Sequence, residues 1–134
     1  MAFVTKAYSD RRVGAKNQAV TIQNPTLQQV TDAIHRLDGK EHTELIFSGD
    51  KRELTISGGN DGRYIAFISV NVDEAFYNLI NPQGSTDVEL RIVAGGQVGT
   101  YPSRVVVPLS DVLSAATGFY ESGEVPTLPW EKQD

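Results

Sequence analysis

Two amphipathic helix patterns enclose a series of short strand patterns, and this order limits the chain to a small number of folds. The first helix is predicted over residues 25–38, where apolar residues recur at helical spacing after the N-cap candidate Asn24. The second is predicted over residues 110–121, between the N-cap candidate Ser110 and the stop signal Gly123. A helix, about five to six strands and a second helix predict an α+β fold with a mainly antiparallel sheet on which both helices pack.

The strand patterns are short and are separated by turn signals. The sequence GGNDG at residues 58–62 predicts a hairpin turn, because glycine and asparagine tolerate positive φ. Alternation of apolar and charged residues predicts that Val88, Leu90 and Ile92 face the core. Residues 1–22 stay ambiguous, with two short strands possible among them. The predicted strands span residues 43–47, 53–57, 63–70, 75–80, 87–93 and 103–109.

Length and charge limit the classes of function. The length of the chain predicts one domain, residues 1–134. The net charge is −5, and direct nucleic-acid binding is not expected, because phosphate binding needs clustered Lys and Arg. Residues 105–134 are acidic, and two interpretations stay open: an attraction for a basic partner, or a solvated surface that aids solubility. The charged residues in that segment are Asp111, Glu121, Glu124, Glu131 and Asp134 against Lys132.

The sequence also bears on the compartment. The chain contains no cysteine, which excludes disulfides, thiolate metal sites and cysteine catalysis, and which fits a reducing compartment. No signal-peptide pattern and no apolar stretch long enough for a membrane span is present. We therefore expect a cytoplasmic protein without membrane contact.

Residues that could carry catalysis lack the spacing that catalysis requires. His35 and His42 lie on either side of a predicted helix end and do not form a metal-ligand motif. The carboxylates at residues 73–74 fall in a predicted turn, and Asp87 and Glu89 alternate on the polar side of a strand. We therefore expect a protein that is not an enzyme and that needs neither a metal nor a cofactor.

Two features near the C-terminus each allow two interpretations. The glycine-rich sequence GGQVG at residues 95–99 leads into a strand and not a helix, so it does not fit a phosphate-binding loop. It predicts a turn, or a protein-contact segment in which Gln97, Tyr101 and Arg104 offer adaptable contacts. Trp130 could anchor the C-terminal tail on the core or contact a partner.

Two segments of the chain resemble a known family. The sequence "GGQVGTYPSRVVVPLSDVLSAATGFYESGEVPTLPWE" and the earlier "NPTLQQVTDAIHRLDG" are similar to the first-numbered immunity-protein family of bacterial polymorphic toxin systems. The resemblance covers about residues 24–131 and leaves the role of residues 1–23 open. The positions that match the family pattern, most of them expected to be structural, are Gly58, Gly59, Gly95, Gly96, Gly99, Tyr101, Gly123, Pro129 and Trp130.

The resemblance implies an α+β antitoxin that binds the C-terminal domain of a cognate toxin, often a nucleic-acid deaminase. Such an immunity protein would neutralise the toxin by occluding its active site, without chemistry of its own. The candidate contact residues are Gln97, Tyr101, Arg104, Glu124 and Glu131. The alternative is a non-catalytic regulatory or small-ligand-binding domain.

Overall fold

The computed structural model describes residues 2–71 and 74–133. Within them the strands are β1 (Lys6–Ser9), β2 (Arg12–Val13), β3 (Lys16–Asn17), β4 (Val20–Gln23), β5 (Glu44–Gly49), β6 (Arg52–Gly58), β7 (Tyr64–Val70), β8 (Ala75–Leu79), β9 (Glu89–Ala94), β10 (Gln97–Pro102) and β11 (Trp130–Lys132). The helices are α1 (Leu27–Arg36) and α2 (Leu109–Ser122), and single 3-10 turns occupy Asn60–Gly62 and Ser103–Val105.

One large antiparallel sheet dominates the fold. Its seven strands follow the order β11-β8-β7-β6-β5-β1-β4, while β9–β10 and β2–β3 form separate two-stranded ribbons. The α+β class, the two helices and the antiparallel sheet are confirmed, but the expected five to six strands are too few. The additional strands lie at the edges: β1 and β4 come from the ambiguous segment before residue 24, and β11 follows α2. Strands of three or four residues are too short to show a reliable alternation in the sequence.

Both helices pack on the same face of this sheet. Cross-strand neighbours share a face, and the register aligns the buried side chains of Phe47, Leu54 and Ile68 on it. These residues form one core with the helix residues Ile34 and Phe119, both of which are fully buried. Each such side chain contributes roughly 1.5–3 kcal/mol when it leaves water, so this core stabilises the layered arrangement.

The start of α1 differs from the prediction by two residues. Thr26, and not Asn24, is the N-cap: its hydroxyl accepts from the Gln29 backbone N–H at 3.1 Å. The Gln29 side chain in turn accepts from the Thr26 N–H at 2.9 Å, which completes a capping box. Asn24 instead adopts a left-handed conformation with φ +51°, and its N–H donates to the Thr5 carbonyl at 2.7 Å. The helix ends at Arg36, two residues before the predicted boundary at residue 38.

The second helix is one residue longer than predicted at each end. Leu109 is its first residue and Pro108 occupies the cap position, so Ser110 lies inside the first turn and not at the cap. Gly123 ends the helix in the left-handed conformation with φ +77°, as predicted.

The prediction of a last strand at residues 103–109 is wrong. The strand in this part of the chain is β10, which ends at Pro102 and pairs with β9. Residues 103–105 form a 3-10 turn, and Val107 then makes only an isolated bridge with Tyr64. Here the chain leaves the β9–β10 ribbon and leads into α2, so its pairing with β9 does not continue. For a related reason Val88, predicted to face the core, is 53% exposed: it precedes β9, outside the buried part of the ribbon.

Candidate functional site

The face of the sheet opposite the helices is only partly covered, and we call it the open face. The register places Ile46, Thr55, Phe67 and Asn78 in one row across four strands of this face. Phe67 contacts Phe76 from the next row, with ring centroids 5.9 Å apart. The large apolar side chains are half-buried and not enclosed. The side chains that the register assigns to the open face include Lys6, Glu44, Ile46, Glu53, Thr55, Ser57, Ile65, Phe67, Phe76, Asn78 and Glu131.

The β9–β10 ribbon crosses one end of the open face. Ile92 of β9 is fully buried and lies over Gly58, where an added Cβ would be 3.2 Å from Ile92 Cγ2. The Asn60 side chain donates to the Arg91 carbonyl at 3.0 Å and accepts from the Val93 N–H at 3.2 Å. These contacts fix β9 against the turn between β6 and β7.

A buried carboxylate fixes the tip of the ribbon. Gly95 and Gly96 form its two-residue turn with φ of +59° and +80°, the left-handed values that such hairpins require. The Gly96 N–H donates to the Thr43 hydroxyl at 2.9 Å. That hydroxyl donates to Asp10, which also accepts from the Thr43 N–H at 2.7 Å and from Arg12 Nε at 2.9 Å. The ribbon tip is therefore hydrogen-bonded, through Thr43, to the N-terminal segment.

The electrostatics of Asp10 follow from this network. Asp10 is 0% exposed, and burial alone would raise its pKa. The hydrogen bonds from Thr43, Arg12 and the Glu44 N–H outweigh burial and hold the pKa of Asp10 below its ordinary value. Sequence reasoning missed this residue, because Asp10 stands in what reads as a loop, outside the family resemblance. The only sequence signal was the possibility of strands among residues 1–23.

A cavity of about 300 Å³ lies between the ribbon and the open face, and we call it the ribbon cavity. Glu44, Thr55, Phe67, Asn78 and Tyr101 are among the residues that line it. The Glu44 carboxylate lies beside the ribbon tip: an added Cβ on Gly95 would be 3.3 Å from Glu44 Oε2. Burial raises the pKa of Glu44, and the neighbouring Asp10 raises it further, whereas Arg12 opposes both effects. The cavity thus has an acidic, partly desolvated group with aromatic and amide side chains around it.

The structure brings three of the five predicted contact residues together. Tyr101 lines the ribbon cavity, and Arg104 forms an ion pair with Glu131 at 2.6 Å. In the strand register Glu131 lies opposite Asn78, which belongs to the open face. Gln97 is exposed at the start of β10. Glu124 is placed elsewhere: it lies 3.7 Å from Arg52, at a cavity that the helix-side residues Ile68 and Tyr77 also line.

The positions that match the family pattern lie mostly at turns. Trp130 is half-buried in β11, and its indole N–H donates to the Val125 carbonyl at 2.8 Å. The Tyr101 ring lies over Gly99, where an added Cβ would be 3.1 Å from Tyr101 Cε2. Pro129 is exposed, and its carbonyl accepts from the Ile80 N–H at 2.9 Å. Of the glycines that match the family pattern, those with positive φ are Gly58, Gly59, Gly95, Gly96 and Gly123.

The histidines and acidic residues do not assemble a metal site in the described part of the chain. No group of three or more His, Asp or Glu side chains is placed to hold an ion there. His35 is exposed, and His42 Nδ1 lies 3.0 Å from the Asp10 carbonyl oxygen. In residues 2–71 and 74–133, moreover, neither helix has the length and hydropathy of a membrane-spanning segment.

A second cavity, of about 550 Å³, lies beside the turn at residues 81–84. Arg63, Asn81, Gln83 and Asp111 are among the residues that line it. Its volume lies in the range of small-ligand sites. The alternative of a small-ligand-binding domain would use this cavity.

Comparison with known proteins gives one match. The family described as "Immunity protein Imm1" matches residues 18–132, which is most of the chain and includes β4 as well as the expected residues 24–131. Neither a curated protein nor a solved structure matches.

Proposed function

This chain belongs to the Imm1 family of immunity proteins, and on that premise we propose that it neutralises the C-terminal toxin domain of a cognate bacterial polymorphic toxin. The proposed toxin is a nucleic-acid deaminase, and the proposed mechanism is occlusion of its active site by binding. In this proposal the chain is a single binding domain of the cytoplasm, where a toxin directed at nucleic acid would meet its target, and it has no catalytic step of its own.

The open face is the observation that supports a protein partner. Half-buried Ile46, Ile65, Phe67 and Phe76 lie close together on it, surrounded by polar side chains. An apolar centre with a polar rim is the usual anatomy of a protein interface. A helix layer covers the other side of the same sheet, so the open face is the side on which a partner can reach the sheet directly.

The charge of the open face supports a basic partner. Glu44, Glu53 and Glu131 stand on it against Lys6, and Arg104 at its rim is already paired with Glu131. The whole chain carries a net charge of −5. A nucleic-acid deaminase must hold phosphates, so the rim of its active site carries Lys and Arg. An acidic face would be attracted to that rim and would cover it.

The proposed contacts are Gln97, Tyr101, Arg104 and Glu131. Glu124 lies apart from them, and we assign it a contribution to long-range attraction only. Glu124→Lys and Glu131→Lys therefore form a matched pair, because both residues are exposed and each substitution reverses one charge. We expect Glu131→Lys to weaken binding clearly more than Glu124→Lys.

Association and dissociation rates measured at several salt concentrations test this assignment. Higher salt should slow association more than it speeds dissociation, since charge steering acts mainly on association. Unchanged rates for both variants, with the toxin still neutralised, would place the interface elsewhere, at the turns around Asp50 and Asp61. Asp73, a third turn candidate, lies outside the described residues.

A small-ligand-binding domain is the second candidate, favoured by the 550 Å³ cavity. The neighbouring gene separates the two functions. An adjacent reading frame that ends in a deaminase-like H-x-E … P-C-x-x-C module supports the immunity function. A metabolite that raises the melting temperature of the purified protein, with no toxin gene beside its own, would instead support ligand binding.

A further inference from the structure

We propose that the ribbon cavity receives an arginine side chain of the toxin domain, and that Glu44 is the anion that binds its guanidinium group. This inference rests on the proposed function and deepens it, because it names the residue type of the partner and the subsite that holds it. Glu44 is not among the positions that match the family pattern.

One carboxylate of the cavity, Glu44, has a cation nearby but no direct partner in the described part of the chain. Asp10 raises the pKa of Glu44 and Arg12 lowers it, so both charges act on the Glu44 carboxylate without a direct contact to it. Arg12 Nε forms an ion pair with Asp10 Oδ2 at 2.9 Å. In the described part of the chain Glu44 itself makes no direct ion pair, and His42 Nε2 lies 3.6 Å from Glu41 Oε2. A partly buried carboxylate of this kind gains stability from an added cation.

The walls of the cavity fit a guanidinium group better than an ammonium group. Tyr101 and Phe67 provide aromatic rings, on which the planar guanidinium stacks. Glu44, Asn78 and Thr55 provide side-chain oxygens that can accept hydrogen bonds from its five N–H groups. The volume of about 300 Å³ is at the low end for ligand sites and suits a single side chain.

The origin of the arginine follows from the chemistry of the partner. An enzyme that holds nucleic acid uses arginine for phosphate contacts, because the guanidinium fork matches phosphate and carboxylate geometry alike. Binding of such an arginine by Glu44 would remove a phosphate contact from the toxin while anchoring the complex. The chain's own Arg104 does not meet this need, since it is bound to Glu131.

The first test uses calorimetry to compare the affinities of the wild type, Glu44→Gln and Glu121→Gln for the toxin domain. Glu44→Gln keeps the side-chain shape and removes the charge, and we expect its Kd to rise tenfold or more. Glu121→Gln removes one charge from an exposed position on α2 and should change Kd by less than about twofold. Equal effects of the two substitutions would overturn the inference, because they would indicate a general charge effect.

The second test does not depend on the toxin. Nuclear magnetic resonance titration of the free protein with Nα-acetyl-arginine methylamide should shift the signals of Glu44 and Tyr101. The neutral citrulline analogue should leave these signals unchanged. The arginine probe should cause no such shift in the Glu44→Gln variant. Equal shifts with both probes, or none with either, would overturn the assignment of arginine.

The two tests also separate this inference from the proposed function. A wild-type protein that binds no toxin domain contradicts the proposed function. Tight wild-type binding together with an unchanged Glu44→Gln affinity contradicts only the arginine subsite.

Discussion

Replacement of Asp10 by asparagine should lower the free energy of unfolding by about 2–4 kcal/mol. The carboxylate accepts from four donors: the N–H groups of Thr43 and Glu44, the Thr43 hydroxyl and Arg12 Nε. An amide has one acceptor oxygen, and its NH₂ group would face the remaining donors. A hydrogen bond to a charged group contributes about 1.5–3 kcal/mol, and a buried donor left without an acceptor costs about 1–3 kcal/mol. The expected loss is the charged bond to Arg12, together with part of the cost of one unpaired donor.

Equilibrium unfolding in urea at pH 7 measures this loss, with the slope of the transition as the check on two-state behaviour. Asp87→Asn is the control, because Asp87 is exposed. Hydrogen exchange adds a local readout: the Gly96 amide, which bonds the Thr43 hydroxyl, should lose protection in the Asp10 variant. A change of less than about 0.5 kcal/mol, the size of an ordinary surface effect, would refute the role given to this network.

The pH dependence has a defined sign. The pKa of Asp10 is lowered in the folded protein, so its stabilisation is fully present above the unfolded pKa of about 3.9. That stabilisation is lost as pH falls through the lower, folded-state pKa. The difference in stability between the wild type and Asp10→Asn should therefore be largest near neutral pH. It should shrink in acid, as the pH falls through the folded-state pKa of Asp10.

Three further substitutions test other parts of the account. Trp130→Ala should cost about 1–4 kcal/mol, because the half-buried ring packs on the core and its N–H is bonded; an unchanged urea midpoint would mean that the ring is free. Gly59→Ala should destabilise the protein more than Gly62→Ala. Both glycines have positive φ, but a Cβ on Gly59 would overlap the Leu37 carbonyl, whereas Gly62 faces open space. Equal thermal midpoints of the two variants would contradict this. Glu44→Gln should keep or raise the melting temperature at pH 7, because the raised pKa of Glu44 shows that its ionised form is disfavoured in the folded state; a clear fall in melting temperature would contradict this.

The parts of the fold that could be predicted from the sequence depend on local physics. Helical spacing of apolar residues located both helices, and glycine placed turns such as Gly95–Gly96, where positive φ is required. The errors at helix ends arose where two local signals competed. Asn24 and Thr26 are both good caps, and the capping box with Gln29 decided for Thr26.

The site depends on contacts between distant parts of the chain, which a single sequence does not display. Asp10 and Thr43 are separated by 33 residues, and Thr43 and Gly96 by 53. Glu44 reads as an ordinary strand residue until the register assigns it to the open face and the ribbon closes over it. Tyr101 and Arg104 were predicted as partner contacts because they follow a glycine-rich turn, and that role stays a prediction. Glu124 was predicted from charge alone, and the structure places it away from the other candidates.

The most direct test of the central claim is a titration of toxin activity with the purified protein. The proposed cognate toxin domain would be assayed for deamination of single-stranded nucleic acid while the protein is added in increasing amounts. We predict that activity falls linearly to zero at one equivalent, with a stable complex of the two proteins on size exclusion. Full activity in the presence of excess protein, with no complex formed, would contradict the claim that this chain is the immunity protein of that toxin.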